Sequence, residues 1–405
     1  MVNFHPSSAS AEITAKAQRF IASRVAPAEA VYAEQRRAAI AAADPHAVPP
    51  VIELLKEEAR RHGLWNLFLP AESGLTTVDY APIAEATGWY PEIAPEVFNC
   101  SAPDTGNMEL LHMFGSEEQR RLYLEPLLAG NTRSAFAMTE PDVASSDASN
   151  IQTSIDIDPD GITVNGRKWW ITGALDPRCS FFLVMGLSDP EADGFRRQSF
   201  VIVPRDAPGV TVERDLDFYG YHDAGGHGEI IFKDVRVPRS HLLGEPGGGF
   251  EMAQARLGPG RIHHCMRAIG MAERAITLMK ERARQRVAFG EPLAKNAVVR
   301  EWVAEARISI EQLRLLVMKC AWIIDDAGAS AARDEIAAIK VAVPRGVAAI
   351  IDDAIQLHGA MGVSTDTPLA RLWAIARTMR FGDGPDQVHL RTLGRNELRM
   401  PGVKP

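Results

Sequence analysis

Asp383 stands between two glycines in the run Met379-Arg380-Phe381-Gly382-Asp383-Gly384-Pro385-Asp386-Gln387-Val388. A carboxylate there could take a proton from a substrate if a closed pocket stripped it of water and raised its proton affinity. Asp, Gly and Pro are equally the residues that build turns, so composition alone leaves Asp383 and Asp386 open to either reading. Arginine marks the stretch Arg284-Gln285-Arg286-Val287-Ala288-Phe289-Gly290, and glycine marks Gln356-Leu357-His358-Gly359-Ala360-Met361-Gly362-Val363. A guanidinium fork pairs phosphate oxygens bidentately and glycine lets backbone N–H groups approach closely, which suits phosphate. The plainer alternative is a solvated basic helix face that ends in a glycine cap. Trp169-Trp170-Ile171-Thr172 offers aromatic faces and a hydroxyl, though tryptophans standing alone are ordinary strand residues. His263 and His264, in Leu257-Gly258-Pro259-Gly260-Arg261-Ile262-His263-His264-Cys265, are neighbours on a helix and cannot face one point, which makes a two-histidine metal site poor. One core and one exposed histidine is the bland reading; contact of one with a polar group on a substrate is the sharper one.

The elements that must position these residues follow from periodicity. A chain of 405 residues is too long for one simple core and suggests two or three domains. From about Ala11 to Arg133 the pattern is helical, with Ile13, Ala17, Phe20 and Ile21 as one apolar stripe and Val51, Leu54, Leu55 and Ala59 as another. Between about Ser134 and Glu245 the period falls to two. Ile162-Thr163-Val164, Asn165-Gly166 and Arg167-Lys168-Trp169-Trp170-Ile171 read as a hairpin turning at Asn-Gly. Phe181 to Met185, Phe200 to Pro204 and Glu229 to Phe232 extend the β block. Helices return from Phe250, the longest carrying Val299, Val303, Ala306, Ile310, Leu313, Val317, Cys320 and Ile324 up to Gly328. Asp334 to Leu357 continues them, and Pro344 in its interior should kink that helix. The expected domains are residues 1–133 helical, 134–249 β and 250–405 a helical bundle.

Composition narrows the partners. The net charge is −8 and no basic run marks a surface helix, so neither nucleic acid nor an anionic membrane is expected to bind. Cys100, Cys179, Cys265 and Cys320 are far apart without a CxxC pair, which fits core packing in a reducing compartment. No stretch approaches the roughly 20 apolar residues of a membrane span, and the N-terminus lacks signal or transit character. The reading is a cytoplasmic protein. Gly247-Gly248-Gly249-Phe250 does not join a parallel strand to a helix and makes a poor Rossmann loop; no Walker lysine, HExxH helix or G-x-S-x-G elbow occurs.

Phe136-Ala137-Met138-Thr139-Glu140-Pro141, Ser145-Ser146-Asp147 and Trp169-Trp170-Ile171-Thr172 together resemble the flavin-facing segment of the acyl-CoA dehydrogenase family, and the Gln356–Val363 block resembles the family's C-terminal signature. The resemblance implies an N-terminal helical domain, a middle β-barrel-like domain and a C-terminal four-helix bundle around FAD. It implies that Met138 and Thr139 contact the pyrimidine side of the flavin, that Trp170 packs by the ring, and that Thr172 donates toward N5. Fixed donors at the developing charge of a hydride acceptor lower the barrier. It further implies that Arg286 and Phe289, in an R-x-x-F-G element, and Gln356 with the Gly359 to Gly362 turn bind the FAD pyrophosphate and adenine of a neighbouring subunit, making the protein a homodimer or homotetramer. Asp383 takes the place of the catalytic base, usually glutamate, and Pro385 that of threonine or serine. Ser146 and Arg261 would hold the thioester end of an acyl-CoA, although four residues separate Pro141 from Ser146 where three are usual; His263 is the histidine offered to the acyl chain. Electron-transfer flavoprotein is the implied acceptor. Gly258 to His264 together with Asp383 to His389 also resembles the branch that breaks down 4-hydroxyacyl-CoA. The rival readings are oxygen-using relatives, namely nitroalkane oxidase, acyl-CoA oxidase or a flavin monooxygenase, and a non-catalytic flavin-bearing binding protein.

Overall fold

The computed structural model describes residues 4–399. Its contacts divide into two compact units: one holds the chain up to Ala26, Pro70–Pro95 and everything from Gly258, and the other holds Pro27–Leu69 and Glu96–Leu257. The helical first third thus contributes to both units.

The second unit is built on an eight-stranded sheet. Its strands are β1 (Arg133–Ala137), β2 (Ser154–Asp158), β3 (Gly161–Thr172), β4 (Cys179–Leu187), β5 (Gln198–Pro204), β6 (Val210–Asp215), β7 (His227–Val237) and β8 (Leu242–Leu243). The hydrogen-bonded order is β6-β7-β3-β2-β4-β5-β8, with β1 parallel to β4. Alternate residues of these strands, among them Ile155, Ile162, Val164, Phe182, Val184, Val201, Val203, Ile230 and Phe232, form one buried cluster, the period of two of a strand, and in β4 and β5 the residues between them are buried as well.

The hairpin turn lies elsewhere than Asn165-Gly166. β2 and β3 are joined across Pro159-Asp160, where Asp158 Oδ1 accepts the N–H groups of Asp160 and Gly161. An aspartate that caps a turn with its own side chain competes well with Asn-Gly. Asn165 and Gly166 are interior to β3. Asn165 Oδ1 accepts from Asp234 N at 2.7 Å, at a bulge on β7 where Asp234 has φ 50°. Gly166 is small for packing reasons: a Cβ there would lie 2.3 Å from Thr153 Oγ1.

The helix Pro50–Arg61 also departs from the expected stripe. Its inward residues are Ile52, Leu55, Lys56 and Ala59, while Leu54 is 64% exposed. Lys56 occupies a core-facing position because Glu53 accepts its ammonium at 3.0 Å and Glu96 stands at 3.8 Å; a paired charge can be buried where an unpaired one cannot.

In the first unit, the Ser8–Phe20 stripe buries Ala17 and Phe20, with Ile21 just beyond. Asp79 completes a capping box for Thr77–Thr87 and accepts Ser7 N at 2.7 Å. A 37-residue helix, Gly249–Gln285, runs through Gly258-Pro259-Gly260 without a break. Ala297–Ala327 buries Val299, Ala306, Ile310, Leu313, Val317 and Cys320 and ends at Gly328 with φ 83°. Arg333–His358 runs as one helix past Pro344, which is buried. Leu369–Thr378 and Asp386–Glu397 complete the unit. All four cysteines are buried and none forms a disulfide.

Candidate functional site

In the first unit, the loop between Thr378 and Asp386 is held from several sides. The Lys340 ammonium is buried and donates to Met379 O and Gly382 O, both at 2.7 Å. Burial lowers its proton affinity, with nearby Asp383 among the groups opposing that effect. Asp386, the first residue of the last helix, sends its N–H to Arg380 O and receives the Nε atoms of Arg345 and Arg380 on Oδ2 at 2.9 Å. Burial works against ionisation of Asp386, but the two guanidinium groups prevail and hold its carboxyl below the usual range. Asp386 is therefore an anchor of the loop, and its flanking helix N-terminus favours the same charge.

Asp383 sits at the tip with φ 54°, a left-handed conformation that aspartate tolerates better than most residues. Arg261 Nε donates to Asp383 O at 3.0 Å. The Asp383 carboxylate lies 3.6 Å from His264 Nε2. Gly384 follows with φ 102°, and a Cβ on it would stand 3.1 Å from His389 Nε2. His389 is buried, and burial together with Arg261 and Lys340 pushes its pKa down to about 4, so a neutral imidazole backs the loop. The structure thus brings Asp383 and Arg261 together and adds His264, Lys340 and His389. Lys340 gave no sequence signal beyond being a lysine on an apolar helical face.

His263 is elsewhere. It is 4% exposed, packs edge-on against Tyr80 with ring centroids 5.0 Å apart, and is driven to a pKa of about 3 by burial and then by Arg267 and His264. Of the adjacent pair, His264 faces Asp383 and His263 is the core residue. One residue of helix is a 100° rotation, so only one of the two could reach the loop.

In the second unit, Lys168 is fully buried on β3 and donates to Met138 O at 2.9 Å, Glu140 Oε1 at 2.8 Å and Met185 O at 2.7 Å. Burial lowers its pKa to about 8. Glu140 also accepts the N–H groups of Gln152 and Thr153, while Trp169 N donates to Thr139 O at 3.0 Å. These bonds pin Met138 and Thr139. Trp170, at φ 54° and 39% exposed, lies at a bulge of β3 against β7. A bulge re-aims side chains, and a bulky residue at positive φ is uncommon enough to suggest a functional constraint. Thr172 is exposed beside it. Ser145, not Ser146, closes the turn after Pro141 by accepting Glu140 N at 2.8 Å; Ser146 is exposed.

The arginine stretch leaves the long helix at Gln285 and forms a small antiparallel hairpin, Val287–Ala288 against Glu291–Pro292. Its tip is Phe289-Gly290, with φ 53° and 81°, the positive pair of a type I′ turn. Phe289 is fully exposed, at 107% of its reference area, and Arg286 is exposed as well. Gln356 is exposed near the end of its helix, Gly359 caps that helix with φ 64°, and Gly362 lies in the following 3-10 turn.

No helix among the described residues is long and apolar enough to cross a membrane, and no group of three or more metal-ligating side chains is present among them.

Three family models match the chain in series: Acyl-CoA dehydrogenase, N-terminal domain, over residues 7–131; middle domain over 135–235; and C-terminal domain over 247–398. FadE2 of Mycobacterium tuberculosis, which carries a provisional acyl-CoA dehydrogenase name, is 58% identical over 379 residues, covering 94% of this chain and 93% of its own. Acyl-CoA dehydrogenase family member 11 of Homo sapiens is 51% identical over 391 residues, 96% of this chain but 50% of that protein; the chain spans about half the length of such relatives. Among solved structures, a provisionally named acyl-CoA dehydrogenase from Mycobacterium abscessus superposes with a TM-score of 0.94 at 49% identity, covering 97% of this chain and 99% of that one. Butyryl-CoA dehydrogenase from Megasphaera elsdenii does so with a TM-score of 0.82 at 26% identity, covering 98% and 100%.

Proposed function

Because this chain belongs to the acyl-CoA dehydrogenase family, we propose that it oxidises an acyl-CoA thioester to the 2-enoyl-CoA, with Asp383 as the base that removes the α-proton. FAD, the family's cofactor, supplies when bound the acceptor for the hydride that leaves the β-carbon. The donor set suits that cofactor. Trp170 presents an exposed ring next to the Thr172 hydroxyl and the pinned Met138-Thr139 backbone, as an isoalloxazine would need. On the other unit, Arg286 and Phe289 present a guanidinium and an aromatic face, which match a pyrophosphate and an adenine.

The observation that supports the Asp383 assignment is a partly exposed carboxylate on a loop whose backbone is fixed by Lys340 and Arg261. Aspartate is shorter than glutamate by one carbon–carbon bond, about 1.5 Å, so its backbone must stand closer to the proton it takes. Its left-handed φ and the proline two residues on are consistent with a loop set differently for that purpose. Arg261, tied to the Asp383 carbonyl, is offered to the thioester end of the substrate. An electron-transfer flavoprotein as acceptor, and a dimer or tetramer in which Arg286, Phe289, Gln356, Gly359 and Gly362 serve a neighbouring subunit, complete the reading. A 4-hydroxyacyl substrate is the narrower form, resting on Gly258 to His264 and Asp383 to His389; His264, beside Asp383, is the side chain available to meet such a hydroxyl.

The test is anaerobic titration of FAD-loaded protein with acyl-CoAs, 4-hydroxy forms included, following the oxidised flavin band. Bleaching by a thioester is expected. A flavin that stays oxidised at saturating thioester but is reduced by nitroalkanes would replace the reading.

A further inference from the structure

Thr172 and His227 face each other across β3 and β7, as register partners in the sheet. The Thr172 hydroxyl lies 3.0 Å from His227 Nδ1, and His227 Nε2 lies 3.0 Å from Asp223 Oδ2. The imidazole is largely buried, at 14% exposure of its side chain, against the rings of Trp170 and Phe218, each 5.7 Å away between centroids. The result is a chain of hydroxyl, imidazole and carboxylate that ends on an exposed threonine.

A carboxylate selects the tautomer whose N–H points at it, so in neutral His227 the Nε2–H donates to Asp223 and Nδ1 carries a lone pair. At 3.0 Å that lone pair takes the Thr172 O–H, leaving only acceptor character on the outer side of Oγ1. In protonated His227 both ring nitrogens donate. Nδ1–H then bonds Thr172 Oγ1, and the threonine O–H is released outward. A donor aimed at a flavin stabilises the charge that reduction places on it; an acceptor does not.

We infer that His227, held by Asp223, is a positioning residue that decides whether Thr172 donates or accepts at the flavin. The inference rests on Thr172 facing the cofactor. The charged and titratable groups around His227 are Asp223 and Asp215. Asp215 Oδ1 accepts the His227 backbone N–H at 3.1 Å, while its Oδ2 is engaged by His222 at 2.6 Å and His46 at 3.4 Å. Asp215 Oδ2 is thus turned to two other imidazoles, and Asp223 is the carboxylate bonded to the His227 ring.

The test is the visible spectrum of the oxidised, FAD-loaded protein as a function of pH. One protonation step in the flavin band is expected in the wild type. His227→Gln should abolish it while leaving FAD affinity within about threefold, a change below 1 kcal/mol. Asp223→Asn should move the step, because the partner of the ring Nε2 changes from a carboxylate to an amide. A spectrum without any step, a step that survives His227→Gln, or one unmoved by Asp223→Asn overturns the inference. Thr172→Ala separates the two levels: it should remove the step and shift the band, whereas a variant with the wild-type spectrum and FAD affinity at every pH would sink the flavin-facing reading itself.

Discussion

Aspartate at position 383 reconciles reach with backbone conformation. A left-handed φ of 54° costs most L-residues about 1–2 kcal/mol, and aspartate is among the few that visit it readily. Asp383→Glu gains about 1.5 Å of reach but keeps neither the local conformational preference nor the position of the carboxylate. We expect it to load FAD normally and to lose roughly a hundredfold in the rate of thioester-driven bleaching, read by stopped-flow absorbance; Asp383→Asn should load FAD and not bleach at all. Lys340 matters in a different way, because two loop carbonyls depend on it. Lys340→Met should lower stability by about 2–3 kcal/mol and slow bleaching at least tenfold with FAD affinity unchanged, so a variant that melts lower but bleaches at the wild-type rate would deny it a positioning role. Glu109 shows what an under-compensated charge does. Burial raises its pKa from 4.5 to about 8 despite the opposing Arg256. The folded state therefore holds a proton that the unfolded state has lost, and stability falls as pH rises from about 4.5 through about 8. Glu109→Gln should flatten that fall: melting curves of the two proteins should diverge in favour of the variant at pH 8 and converge near pH 4.5.

At the scale of the element, β3 separates two meanings of Asn-Gly. The dipeptide is a strong turn signal in isolation, yet here the glycine accommodates Thr153 and the asparagine ties off a bulge on the neighbouring strand. Gly166→Ala should therefore cost about 1–3 kcal/mol by overpacking, while Asn165→Ala should cost about 1 kcal/mol, the worth of one hydrogen bond; thermal melts of the pair test the ordering, and the reverse ordering would restore the turn reading. The positive-φ pair that does make a tight hairpin is Phe289-Gly290, where a bulky aromatic conceals the turn from a reader looking for Asn or Asp. Of the apolar stripe expected in Pro50–Arg61, Leu55 and Ala59 are buried, while Leu54 is exposed and Ile52 lies inside. A buried lysine interrupts the apolar pattern, and only its partners Glu53 and Glu96, the second far along the chain, reveal that it belongs inside.

At the scale of the whole molecule, the fully exposed Phe289 and the exposed Val287, Met361 and Val363 are a set of apolar side chains on one unit for which solvent is a poor partner. Phe289→Ala should keep the wild-type circular dichroism, yet lose FAD, dissociate toward smaller species on size exclusion with light scattering, and melt lower than the loaded wild type because cofactor and partner no longer stabilise the native state. Retention of both would refute the inter-subunit role. What was legible in the sequence by itself was the helix, strand, helix order, because periodicity is a local property of short segments, and the family, because glycines, arginines and aromatics at fixed spacings carry it in Phe136–Pro141, Trp169–Thr172, Arg286–Gly290 and Gln356–Val363. The proposal of Asp383 as the base rests on the same kind of spacing. Which of His263 and His264 meets Asp383, that Lys340 and Lys168 are buried struts beneath backbone carbonyls, and that His227 stands behind Thr172 were decided only by tertiary structure. Each depends on groups from segments far apart in sequence meeting within 4 Å, and the free energy of a buried charge or a hydrogen-bonded imidazole is set by those partners rather than by its neighbours along the chain.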